Sequence, residues 1–369
     1  MESRKPIAKA TVLLAASFIF LSGCSSLEKK KDEPLKQIGK KNLTISKAVE
    51  EPSTTVTGVS PVTPKSMSLA MGFDPFTGSV VWASRIDVSR SVQAAEKLFL
   101  LFSAKQGDED HFHIWKKTLP SSQDGGIVKI TADQADDVDP VLSIDEHRVY
   151  FASNRVEGPR FTLWRTNVTG VGGITKMGDP QSGSAGRVDV SPDGKKLLLV
   201  SESPSTGDKV KLATTMWTIN VDGTELTQLR PGSNPRWSPD GKKIIFDFDG
   251  QIWLMDVDGG DTTQLTSGRG GFQPYWSPDG GQIVFASWQQ LPDGDNKIGI
   301  WKMRKDGSEL TQLTLNKSTD FFPIWAPTNE IYFLSNRGRE KKTDFGLWKL
   351  QLKGESGVTA PGSTAETNH

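Results

Sequence analysis

Beyond its N-terminal segment, apolar residues along this chain come in short blocks, four to six residues long, too short for helices. Lys195–Val200, Lys242–Phe246, Gln282–Phe285 and Glu330–Phe333 are such blocks, rich in β-branched and aromatic side chains. Each follows a turn signature: Ser191-Pro192-Asp193-Gly194, Ser238-Pro239-Asp240-Gly241, Ser277-Pro278-Asp279-Gly280, and a weaker Ala326-Pro327-Thr328-Asn329. Proline presets φ at the first turn position, Asp closes an Asx-turn, and Gly accepts positive φ. Blocks this short, bounded by such turns, predict buried strands. Degenerate copies stand at Ser143-Ile144-Asp145-Glu146 before Arg148–Phe151, and around Gln93–Glu96 before Leu98–Phe102.

After each block an aliphatic residue is followed by tryptophan: Ile114-Trp115, Leu163-Trp164, Met216-Trp217, Ile252-Trp253, Ile300-Trp301 and Leu347-Trp348. The tryptophans are 49, 53, 36, 48 and 47 residues apart. A period of about 40 to 50 residues means one supersecondary unit per repeat, each needing its neighbours to bury its faces. Gln228-Leu229, Gln264-Leu265-Thr266 and Gln312-Leu313-Thr314 mark a last strand in three units. Four antiparallel strands per repeat, radially arrayed, predict an all-β, six-bladed β-propeller over roughly residues 85–355. The short 36-residue step fits a tight hairpin within Phe246-Asp247-Phe248-Asp249-Gly250. One tryptophan per blade is a packing solution between sheets, since burying an indole removes about 150–250 Å² from water. Trp237, Trp276 and Trp325, each just before a turn, are expected to pack likewise. Met67–Phe73 and Ser79–Ser84 are strand-like, and either is expected to close the ring as the outer strand of the last blade. Asp74-Pro75, Gly78 and Val80-Val81-Trp82 read alternatively as remnants of a seventh unit.

The stretch Trp-Ser-Pro-Asp-Gly-Lys-Lys-Ile-Ile-Phe (237–246), then Ile-Trp-Leu-Met-Asp-Val-Asp-Gly-Gly (252–260) and Gln-Leu-Thr (264–266), resembles the repeat of the TolB-type propeller. The resemblance extends over about 270 of 369 residues and is strongest in the last four repeats. It implies the fold and a periplasmic scaffold that docks an envelope protein, by resemblance peptidoglycan-associated lipoprotein, in connection with the Tol system. This chain departs from TolB in carrying a tether where TolB has a folded N-terminal domain.

Residues 1–23 carry Arg4, Lys5 and Lys9 and then the apolar stretch Thr11–Leu21, too short to span a bilayer. This reads as a signal peptide. Its end, Leu21-Ser22-Gly23-Cys24, resembles a bacterial lipobox, which implies that Cys24 is acylated and becomes the new N-terminus. Ser25 after the cysteine implies, by the lipoprotein rule, the outer membrane facing the periplasm. Residues 24–66 read as the acylated Cys24 and a flexible tether, lysine-rich and then Ser/Thr/Pro/Val-rich. The propeller is expected over 67–355 and a disordered tail over 356–369. The mature chain has 41 Lys+Arg against 43 Asp+Glu once Glu2, Arg4, Lys5 and Lys9 are removed, so no basic excess points to nucleic acid. A monomer is expected.

No catalytic residue, metal or cofactor is assigned. The nearest approach to a Gly-x-Ser-x-Gly elbow is Gln181–Gly186, where Ser182 replaces the first glycine, and no hydrolase domain is recognisable after residue 355. The chain is therefore expected not to be an enzyme. Asp108–His113 holds a His-x-His that a strand would place on one face, but a solvated hairpin tip explains the same residues. A partner is expected at the channel mouth where the inner strands begin. Four residues before each turn serine or its equivalent stand Ser89, Asp139, Arg187, Asn234, Gln273 and Phe322, flanked by Asp137 and Asp320. Two functions follow: a membrane-anchored, protein-binding scaffold of the cell envelope, or a carbohydrate or small-ligand sensor using that mouth.

Overall fold

The computed structural model describes residues 56–62, 67–69, 71–73, 80–83, 86–88, 98–106, 108–119, 126–156, 160–178, 184–204, 212–291, 294, 296–315, 317–338 and 345–352. They form six antiparallel sheets arranged as blades, each numbered here in chain order from its innermost strand outwards. Blade 2 is Asp137–Leu142, Arg148–Ser153, Thr162–Asn167 and Thr175–Lys176. Blade 3 is Ser184–Val190, Lys196–Pro204, Leu212–Asn220 and Thr227–Pro231. Blade 4 is Ser233–Trp237, Lys243–Phe248, Gln251–Asp256 and Thr263–Gln264, and blade 5 is Phe272–Trp276, Gln282–Gln290, Asn296–Arg304 and Thr311–Gln312. In blade 1, Asp87–Val88 pairs with Phe99–Gln106, followed by His113–Thr118 and Ile127–Lys129.

Blade 6 joins the two ends of the chain. Its strands Asp320–Trp325, Glu330–Ser335 and Gly346–Leu352 receive a fourth from Val56–Pro61, with Val56 opposite Leu352 and Pro61 opposite Trp348. Two sequence expectations are corrected here. Residues 56–61 are a paired strand and not part of a tether, and they close the ring in place of the 67–84 segments. Met67–Leu69 pairs instead with Phe99–Gln106 of blade 1, while Met71–Phe73 and Val80–Ala83 form a separate hairpin. Because Val56 lies across from Leu352, next to the Gln351 that pairs with Glu330 just past a turn, the chain enters the propeller on the face that carries the turns.

The turn signature recurs as one geometry. Ser191 Oγ donates to Asp193 Oδ1 at 2.6 Å and accepts from the Lys196 N–H at 2.9 Å, and Asp193 Oδ1 accepts from the Lys195 N–H at 3.1 Å. The same bonds form at Ser238/Asp240 and Ser277/Asp279. In the degenerate copy Ser143/Asp145 keeps them, and Glu146 takes the left-handed position at φ +58° that glycine fills elsewhere. Asp249 and Gly250, both at positive φ, form the predicted tight hairpin of blade 4.

Apolar clusters lie between blades. Leu101 and Ile114 pack with Leu142, Val149 and Phe151 across blades 1 and 2, and a large cluster from Val88 and Phe102 to Phe321 and Tyr332 closes blade 6 onto blade 1. In all six aliphatic-tryptophan pairs the aliphatic residue is fully buried, at 0% exposure. Five of the six tryptophans are half-buried and flank these clusters, as packing between sheets predicts.

Candidate binding pocket

At the end of the channel where inner strands begin, the structure brings Asp139, Arg187, Asn234, Gln273 and Phe322 into one ring. All five have left-handed φ, between +48° and +55°, and stand at or across from a register shift in the inner strand. Such a bulge turns a backbone N–H sideways, towards the previous blade, at the cost of strain that non-glycine residues rarely accept. The Arg187 N–H donates to Asp139 Oδ2 at 2.8 Å, the Gln273 N–H to Asp247 Oδ2 at 2.7 Å, and the Phe322 N–H to Gln273 Oε1 at 2.9 Å. Asn234 Nδ2 donates to the same Asp247 oxygen, and Arg187 reaches Ser233 Oγ at 2.5 Å and Glu202 Oε1 at 3.1 Å. The five side chains are 1–8% exposed. Their hydrogen bonds tie blades 2 to 6 in succession, with Asn234 bracing Asp247 within blade 4, and they do not form an open recognition surface; Ser89 lies outside the described residues.

The flanking aspartates are also spent. Asp137 and Asp320 are fully buried, bound by Arg155 at 2.6 Å and Arg337 at 2.7 Å. Each arginine lies over a phenylalanine and a tryptophan of its blade, Phe151 and Trp164 for Arg155, Phe333 and Trp348 for Arg337. The repeated tripeptide Ser-Asn-Arg at 153–155 and 335–337 is the sequence signal for this pair of clamps. Burial raises the Asp137 carboxyl above its ordinary value despite Arg155 beside it.

The two histidines of His-x-His do not converge. His111 precedes the strand that starts at His113 and faces Asp136 at 3.6 Å, whereas His113 joins Asp133 and Asp137, with possible ligand atoms within 4.8 Å of one another. Burial and then Lys129 lower the His113 pKa. Arg155 bridges Asp133 and Asp137, so a guanidinium already supplies a positive charge to this cluster.

The opposite mouth has different chemistry. A pocket of about 270 Å³ opens among the turns, rimmed by one residue from each of five blades: Ile144, Pro192, Pro239, Pro278 and Pro327. Below them stand Val88, Trp237, Tyr275, Trp276 and Trp325. Trp276 and Trp325 are buried at the blade junctions, as expected of core tryptophans, yet they also form the pocket wall. Arg236 and Asp189 form a buried pair at 3.2 Å, and Asp189 also accepts the Trp237 N–H at 2.9 Å. Arg236 lines a second, much smaller void as well, of about 10 Å³, walled by Asn234, Gln273 and Phe322. That is room for about one water molecule. Arg236 therefore stands between the two openings and lines both. Sequence reading took each proline only as a turn former, and its second role arises when five turns meet around one axis.

No protein-family model matches the chain, and a search of curated proteins finds no relative. Solved structures do match. A putative TolB from Agrobacterium tumefaciens is 21% identical, over 67% of this chain and 88% of that one, with a TM-score of 0.48. An oligogalacturonate lyase in complex with manganese is 14% identical over 82% of this chain and 95% of that one, with a TM-score of 0.52. A puromycin-hydrolysing peptidase of Mycobacterium tuberculosis is 15% identical over 69% of this chain and 41% of that one, at 0.48. The chain is a six-bladed propeller. The expectation that it is not an enzyme is corrected, because the oligogalacturonate lyase among the matched structures is an enzyme. The lyase is matched along nearly its whole length, so the missing hydrolase elbow does not decide against catalysis.

Proposed function

We propose that this chain is a lipid-anchored propeller of the cell envelope that docks a segment of a partner protein in its turn-face pocket. The carrying observation is that pocket: a concave, mostly apolar opening with aromatic walls and a single ion pair at its floor, the usual make-up of a ligand site. Cys24 carries the anchor, and the segment that follows it links the anchor to the propeller. The described chain begins at Val56, on the same face as the pocket. Outer-membrane attachment facing the periplasm follows from Ser25, and peptidoglycan-associated lipoprotein is the partner that the TolB-type resemblance suggests.

A photo-crosslinking residue at Pro239, on the rim, should give a stoichiometric protein adduct in native envelopes, while one at Asn336, at the opposite end, should not. Equal yields at both positions, or none at the rim, would remove the docking reading. Cys24→Ser should abolish fatty-acid labelling and release the chain from membranes; retention of the label would remove the anchor. Adducts with glycans alone would favour the small-ligand reading, for which the aromatic walls supply stacking faces.

A further inference from the structure

The floor of the pocket is a basic side chain that the protein has not fully used. Arg236 is 6% exposed and lines the pocket. Among the described residues its guanidinium makes one hydrogen bond, from Nη1 to Asp189, and lies 4.8 Å from the Tyr275 ring centroid. The other buried arginine, Arg187, gives Nη1 to Ser233 and Nη2 to Glu202. Arg155 engages Ser153, Asp133 and Asp137 with three separate nitrogens. A guanidinium offers five N–H donors in a planar fork suited to two-point contact with a carboxylate. Arg236 thus keeps donors for an acceptor that enters between the two cavities it lines.

Resting on the docking reading above, we propose that the pocket captures the C-terminal carboxylate of a partner polypeptide on Arg236. The last side chain, an apolar one, lies against Pro239, Pro278 and Trp276. Three features select this occupant. The cationic group is at the bottom of an apolar well, so the anion must be at the tip of an apolar ligand. The volume, about 270 Å³, is slightly below the range of roughly 300–1,000 Å³ that takes whole small ligands, which suits the end of a chain. Asp189 already balances the guanidinium charge, so the carboxylate is held by directed hydrogen bonds and not by a net positive field. Carboxylate capture of this kind is a recurrent mode of peptide recognition.

The test is a tryptophan-fluorescence titration of the full-length chain, since three indoles wall the pocket. The probes are N-acetyl-Leu-Leu-Phe as the free acid, the same peptide as its C-terminal amide, and 3-phenylpropionate. The acid should bind at least tenfold more tightly than the amide and than 3-phenylpropionate, with little change between low and moderate salt. Arg236→Gln should erase the acid's advantage. If that variant does not fold, the acid–amide ratio on the unmodified chain decides. Equal affinity of acid and amide, or no binding of either, overturns the proposal. So does an unchanged ratio in a folded Arg236→Gln variant. Tight binding of 3-phenylpropionate alone overturns the polypeptide assignment. A rim crosslink at Pro239 that persists under any of these outcomes leaves docking intact and removes the carboxylate alone.

Discussion

The two ends of the channel use opposite chemistry for opposite purposes. Where the inner strands begin, Asp139, Arg187, Asn234 and Gln273 look like recognition residues, yet they are buried; Asp139, Arg187 and Gln273 are hydrogen-bonded to neighbouring blades, and Asn234 to Asp247 of its own. At the turns, prolines that look like backbone punctuation form the partly exposed rim of the pocket. Polar residues near an axis are not thereby available: a buried backbone donor needs an acceptor, and the side chain that supplies it is no longer free for a partner. Apolar residues in turns, by contrast, cannot satisfy anything, and stay open when the turns converge.

The largest expected effect comes from the locked end. Asp247 accepts from both the Gln273 N–H and Asn234 Nδ2, so Asp247→Ala leaves two buried donors without that carboxylate. It should lower the unfolding free energy by about 3 kcal/mol in urea denaturation. A loss below about 1 kcal/mol would mean the ring is not a strut. Gln273→Ala removes the acceptor of one backbone donor, at Phe322, and should cost about 1–2 kcal/mol. Neither change should reduce crosslinking at Pro239 while the protein remains folded.

The open end should respond in the other order. Pro239→Ala with Pro278→Ala should cost no more than about 1 kcal/mol per site, through the greater freedom of the unfolded chain. Partner capture at the rim should nevertheless drop severalfold, measured as crosslinking yield from a residue at Pro192. A large loss of stability with unchanged capture would reverse the assignment of the two ends.

The smallest effect is one of pH, and it has opposite signs at the two ends. Hydrogen bonds from Ser191 and Ser238 hold the Asp193 and Asp240 carboxyls below their ordinary value. Their contribution is present above the usual Asp value of about 3.9 and is lost as pH falls through the lowered one. Asp137 is shifted upwards by burial, so its ionised form weakens the fold at neutral pH and the protein regains that stability as pH falls through the raised value. Stability relative to Asp240→Asn should therefore shrink on acidification, and stability relative to Asp137→Asn should grow. Urea midpoints at pH 7 and in steps towards pH 3 would show both; parallel slopes would contradict the contrast.

Short strands, four per repeat, six repeats and the turn chemistry were all legible in the sequence. They are local: Ser-Pro-Asp-Gly closes its own hydrogen bonds wherever it stands, and alternation on a strand sets which of Ile252 and Trp253 is fully buried. The closing strand was not legible. Val56–Pro61 lies in a Ser/Thr/Pro-rich stretch without an apolar block of its own, and pairs only because the last blade leaves Gly346–Leu352 with an open edge. The site was not legible for the same kind of reason. Pro192, Pro239 and Pro278 are 47 and 39 residues apart along the chain, and nothing local shows that they meet around one opening. Likewise no local signal separates Arg236, with donors to spare, from Arg187, which has spent two on neighbours. What the sequence by itself determined is what each repeat does within itself. Only the closed ring decided which side chains are consumed between blades and which are left facing the axis, because both depend on residues brought together from separate repeats.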